Sequence, residues 1–130
     1  TIQLGVGSPK VYEVNKVVIQ GLEIVLDTIR PGISGHEVHL VWKKVLDQHN
    51  LSKESRIGYS IGVGYSPDWG EHTISLRDSD QSILKPGMTL HVMLGMWMDD
   101  WGIELSETVV VTSTGARCLT NFPREIQVID

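Results

Sequence analysis

The sequence predicts an α+β fold, two antiparallel helices followed by an antiparallel sheet, on three observations. Apolar residues recur at three- and four-residue steps through the first part of the chain, the period of an amphipathic helix. After Lys53 the pattern changes to glycines with β-branched and aromatic residues set between turn formers. All of the helical periodicity precedes all of the strand alternation, an order that separates α+β folds from alternating α/β ones.

Residues 1–11, with Gly5, Gly7 and Pro9, read as a loop. Over residues 11–29, Val14, Val17, Val18, Leu22, Val25, Leu26 and Ile29 form one apolar stripe. Arg30-Pro31-Gly32 ends that helix, because proline disfavours helical geometry in the residue before it. Ser34 and Glu37 then have the spacing of a capping box, in which a serine oxygen takes an orphan N–H and the glutamate reaches back. Val38, Val41, Trp42 and Val45 predict a second helix ending near His49-Asn50, and the short connection predicts near-antiparallel packing. Leu84-Lys85-Pro86-Gly87 reads as a turn with proline at its second position. Leu90, Val92 and Leu94 alternate with Thr89, His91 and Met93, which predicts a strand with two distinct faces. Residues 103–112 read as another strand, and Thr114-Gly115 as a hairpin turn into residues 116–119, giving an antiparallel meander.

A length of 130 residues corresponds to about one domain, and a net charge of −5 disfavours a nucleic-acid partner, which calls for a basic face. The single cysteine, Cys118, cannot form an internal disulfide and is expected as a buried thiol. No apolar stretch approaches the roughly 20 residues that span a bilayer, and no charged-then-apolar leader is present, so a cytoplasmic location without membrane contact is expected. The chain begins at Thr1 rather than Met, so residues 1–130 are expected to be a single partial domain of a longer protein.

Two segments carry the residues suited to chemistry. Tyr59, Tyr65, Asp68, Trp69 and Glu71 share a glycine-rich stretch, and Trp97-Met98-Asp99-Asp100-Trp101 leads into Glu104. Aromatic faces attract positive charge and a carboxylate orients it, so the combination suits a small cationic or zwitterionic ligand. The alternative is that the tryptophans pack a core edge while the acids face water. Gly58, Gly62 and Gly64 do not make a phosphate loop, since no Gly-Lys-Ser/Thr follows. His36 and His39 have a spacing open to a metal pair, but two solvated histidines are expected there. No serine-nucleophile motif occurs.

Four blocks, in order, resemble the pita-bread superfamily of Xaa-Pro dipeptidases, aminopeptidase P, methionine aminopeptidase and creatinase. They are Ile29-Arg30-Pro31-Gly32, Lys85-Pro86-Gly87-Met88, Gly102-Ile103-Glu104-Leu105-Ser106-Glu107-Thr108 with residues 109–112, and Leu119-Thr120-Asn121-Phe122-Pro123-Arg124-Glu125. The resemblance covers essentially the whole chain and implies the C-terminal half of a pita-bread catalytic domain. It also implies a homodimer for the full-length protein.

The peptidases of that superfamily hold two metal ions with two aspartates, a histidine and two glutamates. The family histidine position falls on Tyr59 here, the first glutamate position on Met93 and the second on Ser106. A phenol, a thioether and an alcohol do not replace an imidazole and two carboxylates around divalent ions, so no metal cofactor is expected. The stretch from Gly58 to Tyr65, with Pro67-Asp68-Trp69-Gly70-Glu71 and Asp99-Asp100-Trp101-Gly102, is similar to the metal-free ectoine-hydrolase branch. That likeness implies a C–N bond hydrolase that opens a small zwitterionic cyclic amidine. An Xaa-Pro dipeptidase-like fragment and a non-catalytic binding module of the same fold are the alternatives.

Counting from the creatinase pattern places a substrate-binding glutamate at Glu71. Strand alternation puts His91 on the face of Met93 and Glu104 on that of Ser106. His91 and Glu104 are therefore the candidate catalytic residues, expected to converge with Glu71. Tyr59, Glu71 and Trp101 are the candidate substrate contacts. Glu107, out of phase with Glu104, is expected to be a solvated acid. The missing upstream residues imply that these 130 residues alone are inactive.

Overall fold

A computed structural model describes residues 1–130. Helix α1 runs Pro9–Thr28 and α2 runs Gly35–Gln48. Proline at the start of α1 is favourable, since its missing N–H is one the first turn leaves unpaired anyway. The capping box of α2 is formed in both directions: Glu37 N–H donates to Ser34 Oγ at 3.1 Å, and Ser34 N–H donates to Glu37 Oε2 at 2.8 Å. The helices pack closely because residue 21 is glycine. A Cβ there would stand 2.1 Å from Trp42 Cζ3, so the fully buried indole sits directly on the α1 backbone.

Seven strands complete the chain: β1 Ile2–Leu4, β2 Gly58–Ile61, β3 Gly70–Ser75, β4 Thr89–Trp97, β5 Gly102–Val111, β6 Ala116–Cys118 and β7 Gln127–Ile129. The main sheet is antiparallel with order β3-β2-β4-β5-β6. The meander expected from the sequence is present as β4-β5-β6; the β2–β3 hairpin joins it with β2, not β3, against β4. The first residues differ from expectation. Ile2–Leu4 pair in parallel with Gln127–Ile129, a contact between the chain's two ends that local pattern cannot show.

Period-two alternation divides the sheet. Leu90, Val92, Leu94 and Met96 of β4, with Ile103, Leu105, Val109 and Val111 of β5, are buried in the same core as Val18, Leu22 and Val25 of α1. The opposite face of β4 and β5 is partly open and carries the polar set. No helix is long and apolar enough to cross a membrane.

Three residues depart from expectation. Glu107 is not solvated: it shares the phase of Leu105 and Val109 and is 5% exposed. Arg124 Nε donates to Glu107 Oε1 at 2.8 Å and Thr120 Oγ1 donates to Oε2 at 3.0 Å. The carboxylate holds the Arg124 pKa above its ordinary value and ties the C-terminal segment to the sheet. Cys118 is only half-buried, with its Sγ 3.5 Å from the same guanidinium. His39 likewise is buried rather than solvated, because it falls on the α2 stripe between Val38 and Trp42. Neither of its ring nitrogens finds a hydrogen-bond partner in the chain. Burial holds its pKa below 6.5, opposed by Asp78 and reinforced by His36 and Lys43.

Two consequences can be measured. Replacing Arg124 by Met leaves a buried carboxylate without its cation, and urea unfolding should report a loss of about 3 kcal/mol or more. His39 has a folded pKa below its unfolded one, so the unfolded chain takes up the proton first. Stability should therefore be constant above about pH 7 and fall as the pH drops through 6.5, and His39→Leu should flatten that fall. An identical slope in the variant would remove His39 as its cause.

Candidate active site

The open sheet face is set by register. β4 pairs with β5 so that His91 lies opposite Thr108, Met93 opposite Ser106, Gly95 opposite Glu104 and Trp97 opposite Gly102. On the other side of β4, Tyr59 lies opposite His91 and Ile61 opposite Thr89. Tyr59, His91, Met93, Ser106 and Glu104 therefore occupy neighbouring positions on one surface. The Tyr59 and His91 rings stand 5.4 Å apart with planes tilted by 48°. The Arg56 guanidinium lies 4.5 Å from the centre of the Tyr59 ring.

His91 is half-buried, and desolvation holds its pKa below the ordinary 6.5, opposed by the negative charge of Glu104. Its imidazole is thus neutral at pH 7 and has a nitrogen free to take a proton.

Glu71 does not join this pair. Ile61 is paired with both Gly70 and Thr89, which sets Glu71 beside the Thr89 end of β4. Glu104 stands at the Gly95 end, so the backbones are roughly 20 Å apart at about 3.3 Å per residue. Glu71 Oε1 instead accepts the Gly64 N–H at 2.7 Å and closes the loop after β2. The expected convergence of three residues is corrected to a face with Tyr59, His91 and Glu104 along it and Glu71 at its far rim. Trp101 packs in part against the apolar core, with the Lys10 ammonium 5.2 Å from its ring.

Trp42 is fully buried, whereas Trp69, Trp97 and Tyr65 are exposed. Asp68 accepts the Gly70 N–H at 2.9 Å and pairs with His72 Nε2 at 2.7 Å; these contacts hold its carboxyl below the usual range.

The sequence places Trp97 just ahead of Glu104, but it does not show that Lys53 and Gly95 join them in a cluster. The Lys53 ammonium donates to the Gly95 carbonyl and lies 3.3 Å from the centre of the Trp97 ring. A Cβ at Gly95 would stand 2.8 Å from the Trp97 ring and 3.0 Å from Glu104 Oε2, so only glycine lets indole and carboxylate close over the strand. Burial pulls Lys53 down to about 8, against the raising effect of Glu104. Trp97 shares its parity with His91 and Met93 and was within reach of the alternation argument. Lys53 precedes β2 in a loop and carries no periodic signal.

No group of three or more His, Cys, Asp or Glu side chains is placed to hold a metal ion together. His36 Nδ1 lies 3.1 Å from Asp78, and His39 is buried apart from it.

The electrostatic links among these groups can be tested directly. Glu104→Gln removes the charge that raises both neighbours, so the Lys53 pKa should fall below about 8 and that of His91 further below 6.5. Titration followed by side-chain NMR reads both; an unmoved Lys53 would show that Glu104 does not act on it.

The profile of metallopeptidase family M24 matches residues 1–113. An uncharacterised hydrolase/peptidase of Sinorhizobium fredii, y4tM, is 40% identical over 100% of this chain and 33% of its own length. The ectoine hydrolase of Halomonas elongata is 37% identical over 98% of this chain and 32% of its own. Among solved structures, dipeptidase PepE from Mycobacterium ulcerans superposes with a TM-score of 0.85 at 26% identity, covering 96% of this chain and 33% of that one. The chain thus spans about a third of the length of the curated relatives it matches. A two-helix layer on an antiparallel sheet, the family profile over most of its length and pita-bread structural neighbours agree: the chain belongs to metallopeptidase family M24.

Proposed function

We propose that this chain is part of a hydrolase that opens a C–N bond in a small zwitterionic cyclic amidine of the ectoine type, without a metal ion. The observation that carries this reading is the composition of the open face. The positions that hold metal ligands in the peptidases are here Tyr59, Met93 and Ser106, with Met93 and Ser106 directly opposite one another and Tyr59 beside His91. These donors do not fit the metal centre that the family name implies, since divalent ions call for carboxylate or imidazole ligands. The 37% identity to an ectoine hydrolase supports the same direction.

In this reading Glu104 orients the delocalised cation and the neutral His91 is the acid/base. A water oxygen bonds to the amidine carbon while its proton passes to His91. That proton then goes to the departing nitrogen, and the carbon–nitrogen bond breaks as the hydroxyl on the same carbon becomes a carbonyl. The hydroxyl proton passes to the freed amine, leaving an open-chain amide and an ammonium group. Tyr59 lines the pocket beside His91, and Glu71 contributes from the rim.

The test uses the full-length protein, stripped with EDTA and incubated with ectoine while ring opening is followed by NMR. Turnover should survive chelation, and His91→Gln should lower kcat by roughly 100-fold or more. Because the base form of His91 is required, kcat/KM should hold at neutral pH and decline only as the pH falls below 6.5. Activity lost to EDTA and restored by Mn, Co or Zn would replace this reading with a metallopeptidase. Saturable binding without turnover would make the protein a binding module.

A further inference from the structure

Lys53 is half-buried, yet none of the chain's three ion pairs includes it. Its one oxygen partner is the Gly95 carbonyl, at a point on β4 beyond the end of β2, and its one other neighbour of note is the Trp97 ring face. An ammonium has three N–H donors, and an indole face attracts its charge without accepting in the ordinary sense. Removal from water without a counter-ion is costly, and the depressed basicity of Lys53 is the physical record of that cost. Glu104 raises its basicity but forms no ion pair with it, so no carboxylate lies within 4.0 Å of Nζ. Beside Lys53 a cavity of about 390 Å³, bordered by Ser52, Glu54, Ser55, Met96, Trp97 and Met98, leaves room for a small molecule.

We propose that Lys53 is a specificity-determining residue that binds the carboxylate of the substrate, so that Lys53 and Glu104 form the two poles of a receptor for a zwitterion. This rests on the hydrolase reading above, and it adds the group that recognises the negative end. The backbone carbonyl and the indole hold Nζ in place before ligand arrives, which limits the ordering that binding requires. Glu104 meets the cationic end of the same molecule. A ligand with its charges arranged head to tail against this pair satisfies both poles, whereas a singly charged analogue leaves one unpaired.

The full-length protein is titrated by calorimetry with ectoine and with its carboxamide, which differs only in lacking the negative charge. The wild-type protein should prefer ectoine by roughly 10- to 100-fold, the range of a charge-assisted contact. Lys53→Met should bind both about equally, with the loss in KM exceeding that in kcat, while Lys53→Arg keeps part of the preference. A Lys53→Met protein with the wild-type preference overturns the proposal. Because that variant also leaves the Gly95 carbonyl unpaired, the unmutated protein supplies a second reading. With lysine labelled at Cε, addition of acetate should shift the Lys53 signal and raise its pKa above about 8. If ectoine fails to bind at all, the hydrolase reading falls, and the acetate titration alone decides Lys53: a shifted signal supports the anion site, and an indifferent one overturns it.

Discussion

The pairing of Thr89–Trp97 with Gly102–Val110 is the constraint on which the rest of the molecule depends. Side chains alternate along a strand, so one choice of register decides at once which residues are buried and which reach the open face. Leu90, Val92, Leu94 and Met96 go beneath the helices, and His91, Met93 and Trp97 go to the other side. Slipping that register by a single residue would put His91 and Glu104 into the apolar core. The burial that holds the sheet together is therefore the same force that presents the candidate chemistry.

Charge in this chain is handled by two different arrangements. Glu107 is withdrawn from water and fully answered, by a guanidinium and a hydroxyl contributed from the C-terminal segment. Its role is architectural, anchoring residues that follow the last strand of the sheet. Lys53 and His91 are half-buried and have no such answer, each held below its ordinary basicity by desolvation and each influenced by Glu104. Titratable groups in that condition concentrate at functional sites, because an incomplete environment is what a ligand can complete.

Membership of a metallopeptidase family and the chemistry of this open face point in different directions. A fold transmits positions, not the atoms placed on them. Here the backbone that superposes on a dipeptidase with a TM-score of 0.85 presents Tyr59, Met93 and Ser106 together. Under the proposed function, Glu104 and the Trp97 ring would supply negative character to an organic ligand there and His91 a proton acceptor.

Local physics was readable in the sequence wherever it acts over a few residues. The apolar stripes of both helices, the Ser34–Glu37 capping box, the proline-glycine turn and the alternation of the two long strands are all short-range. Each emerged within a residue or a few of its expected bounds. The same alternation placed His91 and Glu104 on their shared face without any knowledge of neighbours. Contacts between distant segments were not readable. The pairing of β1 with β7, the Glu107–Arg124 bridge, the tie of Glu71 to Gly64 and the reach of Lys53 to Gly95 all depend on which pieces meet. Sequence period determines the face a residue occupies, because that follows from backbone geometry alone. Only packing determines what stands opposite it, because that depends on surface buried between residues far apart in the chain.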